Sequence, residues 1–304
     1  MPNRVREVLR PPEGSCSGCR LCSASQCALG ICCAAVSTLE AVVLGSVQGL
    51  TEFIPISSSG HLVVVPSLLG WSKPSLAFDV MLHFASLLAL LVYFSGDLVD
   101  LARGFVHRDR EARRLLFLLA IATVPAGLAG ILLGDLFEDQ FEDARGAALQ
   151  LLITAVIIVG AEQALRYHQR RHAQAGTRLR GPHALRTPDA LAIGVAQAAA
   201  IVPGISRSGA TIGTGLAFGI ERDVAARFSF LLAIPALFGA ALFKLPDFVD
   251  SPVGLGAAAG GFLASLATSY GAIWGLIRYL KSKTLYPFAV YCAVAGPTFA
   301  LLID

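Results

Sequence analysis

Long apolar stretches run over residues 77–95, 115–134, 147–165, 224–243, 254–277 and 285–303. Each is near the ~20 residues that a helix needs to cross a hydrocarbon core of ~30 Å. The pattern predicts six transmembrane helices. Two further apolar stretches, 39–71 and 189–220, are broken near their middles by Pro, Gly and clustered Ser. They are too interrupted for ordinary spans and too apolar for loops. Irregular backbone at membrane depth is tolerated only where it is buried in protein or lines a wet cavity. Both are therefore expected to be re-entrant helix-loop-helix pairs, in an all-α polytopic membrane protein.

Composition agrees. Of the 304 residues 55% are hydrophobic and only 15% charged, with a mean hydropathy of +0.66, a profile that argues against a soluble globular domain. The net charge of +3 says little about partners, but the placement of charge sets a topology. Segment 166–188 carries Arg166, Arg170, Arg171, Arg178, Arg180 and Arg186 with no acid, which the positive-inside bias assigns to the cytoplasm. Segment 96–114, with Arg103, Arg108, Arg110, Arg113 and Arg114, lies two spans earlier and belongs on the same side, as do Arg278, Lys281 and Lys283. The acidic hairpin of Asp135, Glu138, Asp139, Glu142 and Asp143 belongs opposite. With six spans the chain begins and ends outside the cytoplasm.

The first 36 residues stand apart, since Cys16, Cys19, Cys22, Cys27, Cys32 and Cys33 are six of the seven cysteines. Their C-x2-C-x2-C start matches a ferredoxin run, but the spacing then drifts and no proline follows. The stretch reads as a disordered extension, or as sequence upstream of a true start near Val36. The membrane domain is then 37–304.

That domain contains a repeat. Glu40 to Gln48 (EAVVLGSVQ) aligns with Asp189 to Gln197 (DALAIGVAQ), and at the same offset Ser57, Ser58, Ser59 and Gly60 align with Ser206, Arg207, Ser208 and Gly209. Further on, DVMLHFASLLA from Asp79 aligns with DVAARFSFLLA from Asp223. The copies run over about 39–165 and 189–303, joined by the basic linker 166–188. One re-entrant pair plus three spans is an odd number of crossings, so the second copy enters from the opposite side. Such inverted repeats bring their two re-entrant tips to one midplane site.

The first tip holds Gln48, Glu52, Ser57, Ser58, Ser59 and His61. Gln48 and Glu52 share a helix face, and an intramembrane carboxylate is expensive unless paired or bound, which makes function the default reading. His61, beside that acid and three hydroxyls, reads as catalytic. His83, on an ordinary span, reads as a satisfied core histidine. The second tip, Pro203 to Thr211, places Ser206, Arg207, Ser208 and Thr211 around a helix N-terminus, where free N–H groups, the dipole, hydroxyls and a guanidinium make a phosphate cradle. Opposed, the tips supply an acid-base histidine, a carboxylate able to hold a divalent cation, a hydroxyl and an anion clamp. These are the positioning and charge neutralisation that phosphoryl transfer requires.

At these residues the chain resembles the undecaprenyl-diphosphate phosphatase family, also called bacitracin resistance proteins. The resemblance covers roughly residues 37–304. It is carried by an E/Q-x-x-x-E run leading into P-x-S-S-S/T-G-H (Gln48 to His61) and by P-G-x-S-R-S-x-x-T (Pro203 to Thr211). It implies removal of the terminal phosphate from undecaprenyl diphosphate, at the outer side of a bacterial cytoplasmic membrane, by a homodimer using Mg2+ or Ca2+. It also implies that Glu52, with Gln48, is associated with the metal and that Arg207 clamps the diphosphate. Ser57, Ser206, Ser208 and Thr211 become supporting ligands, and Ser58 and His61 candidates for nucleophile and acid-base; spacing does not choose between these two. Gln48 departs from the Glu of many members and brings no charge to a cation. A transporter or flippase of polyprenyl phosphate would use the same clamp without His61. A structural or channel protein would use Glu52 and Arg207 only to hold helices together.

Overall fold

The computed structural model describes residues 36–138, 143–243 and 254–303. The six early cysteines lie outside the described residues, as do Asp139 and Glu142 of the acidic hairpin. The described chain is helical, apart from one isolated parallel bridge between Arg180 and Ile220.

The first interrupted stretch forms α1 (Thr38–Phe53) and α2 (Ser58–Leu69). Helix α1 starts at a capping box in which Ser37 N–H donates to Glu40 Oε2 at 2.7 Å and Glu40 N–H donates to Ser37 Oγ at 3.3 Å. It stops before Pro55. Helix α2 is capped by Ser57, whose φ of +71° is unusual for a residue with a Cβ. The second interrupted stretch forms α7 (Thr187–Ala199) and α8 (Arg207–Ala217), α8 being capped by Ser206. Between them lie α3 (Leu76–Tyr93), α4 (Ser95–Val106), α5 (Arg110–Glu138) and α6 (Ala144–Gln174). The chain finishes with α9 (Arg222–Phe243), α10 (Leu255–Leu280) and α11 (Tyr286–Leu302).

Among the described residues four helices are long and apolar enough to cross a membrane: Arg110–Leu132, Ala144–Gln174, Arg222–Leu242 and Leu255–Leu280. A fifth is added if the pair Ala77–Tyr93 and Ser95–Val106, bent by 69°, is one span. The sixth expected span is α11, apolar but only 17 residues long. Segment 96–114, expected to connect two spans, begins as α4, whose Val99, Phe105 and Val106 are exposed. Likewise Arg166, Arg170 and Arg171 of the expected linker belong to the last turns of α6.

The basic segments do share one end of the bundle. Arg114 donates to the carbonyls of His183 and Leu185. Arg180 exchanges backbone hydrogen bonds with Gly219 and Glu221. Next to Glu221, Arg222 forms a bidentate pair with the buried Glu162, which also accepts from Leu285 N–H at 2.8 Å. The starts of α5, α7 and α11 and the ends of α6, α8 and α10 therefore meet there. Helix α1 runs parallel to α10, with Gly45 against Gly261 and Gly49 against Ser265 and Ser269. It thus enters from the opposite end to α7, as the inverted repeat requires.

The repeat is visible in packing as well. Gly45 and its counterpart Gly194 each lie against the backbone of another helix: a Cβ on Gly45 would meet Gly261 O at 2.2 Å, and one on Gly194 would meet Ala122 O at 2.3 Å. Both contacts put a re-entrant helix of one copy on the second long span of the other. The largest apolar cluster of the interior has Phe53 and Phe94 both edge-on to Phe230, and smaller clusters lie beside it. Outward, Ile131, Leu132, Val156, Leu255 and Leu301 are exposed, as expected of a lipid-facing surface.

Gly45→Ala is expected to destabilise the detergent-purified protein by about 1–3 kcal/mol through overpacking. Gly127→Ala, which meets no atom within 4 Å, should leave the thermal midpoint unchanged or raised.

Candidate active site

Glu52, next to last in α1, has a side chain 5% exposed, and Arg207, first in α8, one 15% exposed. Arg207 Nη2 donates to Glu52 Oε1 at 2.7 Å. This bond joins the two tips. They touch elsewhere too: Ser208 Oγ donates to Ile54 O at 3.3 Å, and a Cβ on Gly60 would lie 3.1 Å from Gly204 Cα.

The other carboxylate oxygen is crowded. Ser58 Oγ donates to Glu52 Oε2 at 2.5 Å and Gln48 Nε2 at 3.0 Å. The first tip thus converges on Glu52 as its motif suggested. Behind the second tip, Thr154 of α6 donates to Gly204 O and accepts from Ser206 N–H, both at 2.9 Å. Gly204 itself has φ +87°, and a Cβ there would meet Ala147 O at 2.3 Å, so this turn requires glycine. Ser206 Oγ caps Gly209 N–H at 3.0 Å and sits 3.1 Å from Ser208 Oγ. The first tip repeats that arrangement, Ser57 Oγ capping Gly60 N–H at 3.4 Å and lying 3.3 Å from Ser59 Oγ.

Two expected site residues face elsewhere. Thr211 is a hydrogen-bond partner of Ser229 on α9 at 2.6 Å and donates to Arg207 O. His61 has both ring nitrogens engaged: Nδ1 is 2.7 Å from Ser57 O and Nε2 is 2.6 Å from the Tyr291 hydroxyl. A carbonyl only accepts, so Nδ1 carries the hydrogen and Nε2 accepts from Tyr291. Tyr291, on α11, was not legible as a site residue because nothing in its local sequence marks it. His83 comes closer to the carboxylate than a core histidine would, its Nε2 standing 3.6 Å from Glu52 Oε2. The signal was its position one turn after Asp79, in the segment conserved between the two copies of the repeat.

Charge and hydrogen-bond capacity do not balance here. Arg207 Nη1 and Gln48 Oε1 are both buried without a partner. A buried donor or acceptor left unpaired costs roughly 1–3 kcal/mol, more when charged. A buried guanidinium edge beside a hydroxyl-lined helix N-terminus is a place for an anion.

The model of the bacitracin resistance protein BacA family matches residues 41–298. The chain belongs to this family. Curated relatives include the undecaprenyl-diphosphatases of Methanosphaera stadtmanae, 38% identical over 85% of this chain and 95% of its own length, and of Pelobacter propionicus, 41% identical over 86% and 95%. That of Syntrophotalea carbinolica is 42% identical over 87% of this chain and 98% of its own. The family match begins at Ala41, after the cysteine-rich stretch.

Removing Arg207 leaves a buried carboxylate unpaired. Arg207→Ala should therefore cost about 3–5 kcal/mol of stability. Combining it with Glu52→Gln should recover most of that loss in thermal unfolding, because the stranded charge has gone.

Proposed function

We propose that this BacA family member hydrolyses undecaprenyl diphosphate to undecaprenyl phosphate and inorganic phosphate, recycling a lipid carrier of cell-wall synthesis. The observation that carries the reading is the unpartnered, buried Nη1 of Arg207 at the N-terminus of α8, the anion slot of a site built at membrane depth. Relatives named undecaprenyl-diphosphatase, aligned over most of their length, supply the substrate.

In this reading the terminal phosphate lies against Arg207 and the first turn of α8, with Ser206 and Ser208 lining the cradle. The Ser58 hydroxyl, 2.5 Å from Glu52 Oε2, is the nucleophile. As its oxygen bonds to the terminal phosphorus, its proton passes to the carboxylate and the bridging P–O bond breaks, releasing undecaprenyl phosphate. Water then attacks the phosphoserine, frees phosphate and restores the serine. His61, tied to Ser57 and Tyr291, orients the start of α2.

The family resemblance also implies a divalent cation, Mg2+ or Ca2+. The buried, unpartnered Gln48 Oε1 beside Glu52 fits one. Among the described residues no three His, Cys, Asp or Glu side chains gather as a metal cluster. A cation held by Glu52 and Gln48 would complete its shell with phosphate oxygens, as Mg2+ commonly does. When bound, it would neutralise charge on the diphosphate.

The chain is a multi-pass membrane protein. Six spans with the basic end cytoplasmic follow the positive-inside distribution of arginines, while placement in a bacterial cytoplasmic membrane and access to the site from the outer side follow the family resemblance. Assembly as a homodimer follows the family resemblance.

Purified protein in detergent should release phosphate from undecaprenyl diphosphate, and EDTA should suppress the release. Arg207→Ala should lower kcat/KM by about 10²-fold or more, and Ser58→Ala should abolish an acid-stable phosphoenzyme. A folded wild type that releases no phosphate with any divalent cation would sink the hydrolase reading. An acid-labile phosphoenzyme lost in His61→Ala would move the nucleophile to His61.

A further inference from the structure

His83 lies on α3, and its Nδ1 is 2.7 Å from the carbonyl of Asp79 one turn back. Since a carbonyl can only accept, Nδ1 carries the ring hydrogen, and in the neutral imidazole Nε2 carries a lone pair. That nitrogen stands 3.6 Å from Glu52 Oε2, just beyond hydrogen-bonding distance, with the His83 side chain 29% exposed. In the neutral ring a lone pair and a carboxylate oxygen thus lie 3.6 Å apart. Such an arrangement is stabilised by something electron-poor between them.

Gln48 touches the same carboxylate oxygen. Gln48 presents its amide nitrogen to Glu52 Oε2 at 3.0 Å while its Oε1 is buried without a partner. The two ends of a carboxamide are nearly the same size. A half-turn about its terminal bond would exchange them and set a second acceptor, Oε1, against Glu52 Oε2 without moving the backbone, an arrangement that a cation at that oxygen would stabilise. Two donors each ~2.1 Å from a common cation lie ~3.0–3.5 Å apart at the angles of tetrahedral and octahedral shells. The existing separations of 3.6 Å and 3.0 Å are close to that range.

We propose that His83, through Nε2, is a ligand of the divalent cation held at Glu52, with Gln48 Oε1 beside it. This rests on the cation reading above and adds a residue to it. It also answers the departure at position 48, where an amide brings no charge: the imidazole supplies a further donor from a neighbouring helix. The Asp79 carbonyl that holds the ring by Nδ1 is the outer-shell partner that metal-bound histidines usually have. A nitrogen donor favours borderline cations over Ca2+, so affinity for Mn2+ should exceed that for Ca2+.

The test is Mn2+ binding to the full chain in detergent without substrate, followed by electron paramagnetic resonance. Bound Mn2+ in the wild type should show hyperfine coupling to one imidazole nitrogen. His83→Gln should lose the coupling and bind Mn2+ roughly 10-fold or more weakly, and His61→Gln should retain both. Size-exclusion profiles matching wild type establish that the variants are folded. Coupling that survives in His83→Gln, or disappears only in His61→Gln, would overturn the assignment. So would bound Mn2+ without nitrogen coupling in the wild type, which would leave the cation reading itself standing. A folded wild type that binds no Mn2+ would overturn both, while phosphate release by that same preparation would show the hydrolase reading intact.

Discussion

A carboxylate and a guanidinium inside a membrane bundle must neutralise each other or a ligand, and most of the site follows from that constraint. Neither Glu52 nor Arg207 could be carried at this depth alone at acceptable cost. Their 2.7 Å bond requires two tips from opposite ends of the protein to arrive at one place. That requirement explains the broken helices. A continuous helix would carry its backbone past the charge, whereas a helix that stops there leaves its polar terminus beside it.

Duplication makes the meeting possible. The same backbone device occurs twice: a helix that stops at a proline-containing turn, then a serine-capped helix with a glycine three residues after the cap. The copies then divide the chemistry. Where the first has Ser58 the second has Arg207, and the carboxylate of the first has the apolar Ile201 as its counterpart. Close approach of each re-entrant helix to a span of the other copy, glycine against backbone, interlocks the halves so that neither tip is free to retreat. The positions of the two helices are thereby set by backbone contacts, which tolerate little slack.

The features most legible in sequence were those enforced by solvent and by covalent pattern. Apolar runs located the helices because lipid leaves no other way to satisfy the backbone. The broken stretches and the duplicated motif identified both tips, and Glu52, Ser58, Gln48 and Arg207 do converge. What could not be read was long-range side-chain direction. His61 lies in the motif, yet its ring is held by Tyr291, 230 residues away. His83 lay outside both signatures and looked like an ordinary span residue, although helix α3 brings it to the carboxylate. The bend at Phe94 was hidden for a related reason: α4 is short and amphipathic, so the apolar pattern does not mark it as a helix of its own.

The incomplete pairing of Arg207 gives the site a direction of action. Glu52 occupies one edge of the guanidinium and leaves Nη1 without a partner, so the ion pair alone does not satisfy the site. A diphosphate entering along the free edge would complete the hydrogen bonding of Arg207 and compete with Glu52 for its charge. The carboxylate, drawn less strongly toward Arg207, would become a better proton acceptor for Ser58 and a better ligand for a cation. The same ion pair that makes both charges tolerable in the membrane would thus yield to substrate, and binding at one tip would prepare the other for chemistry.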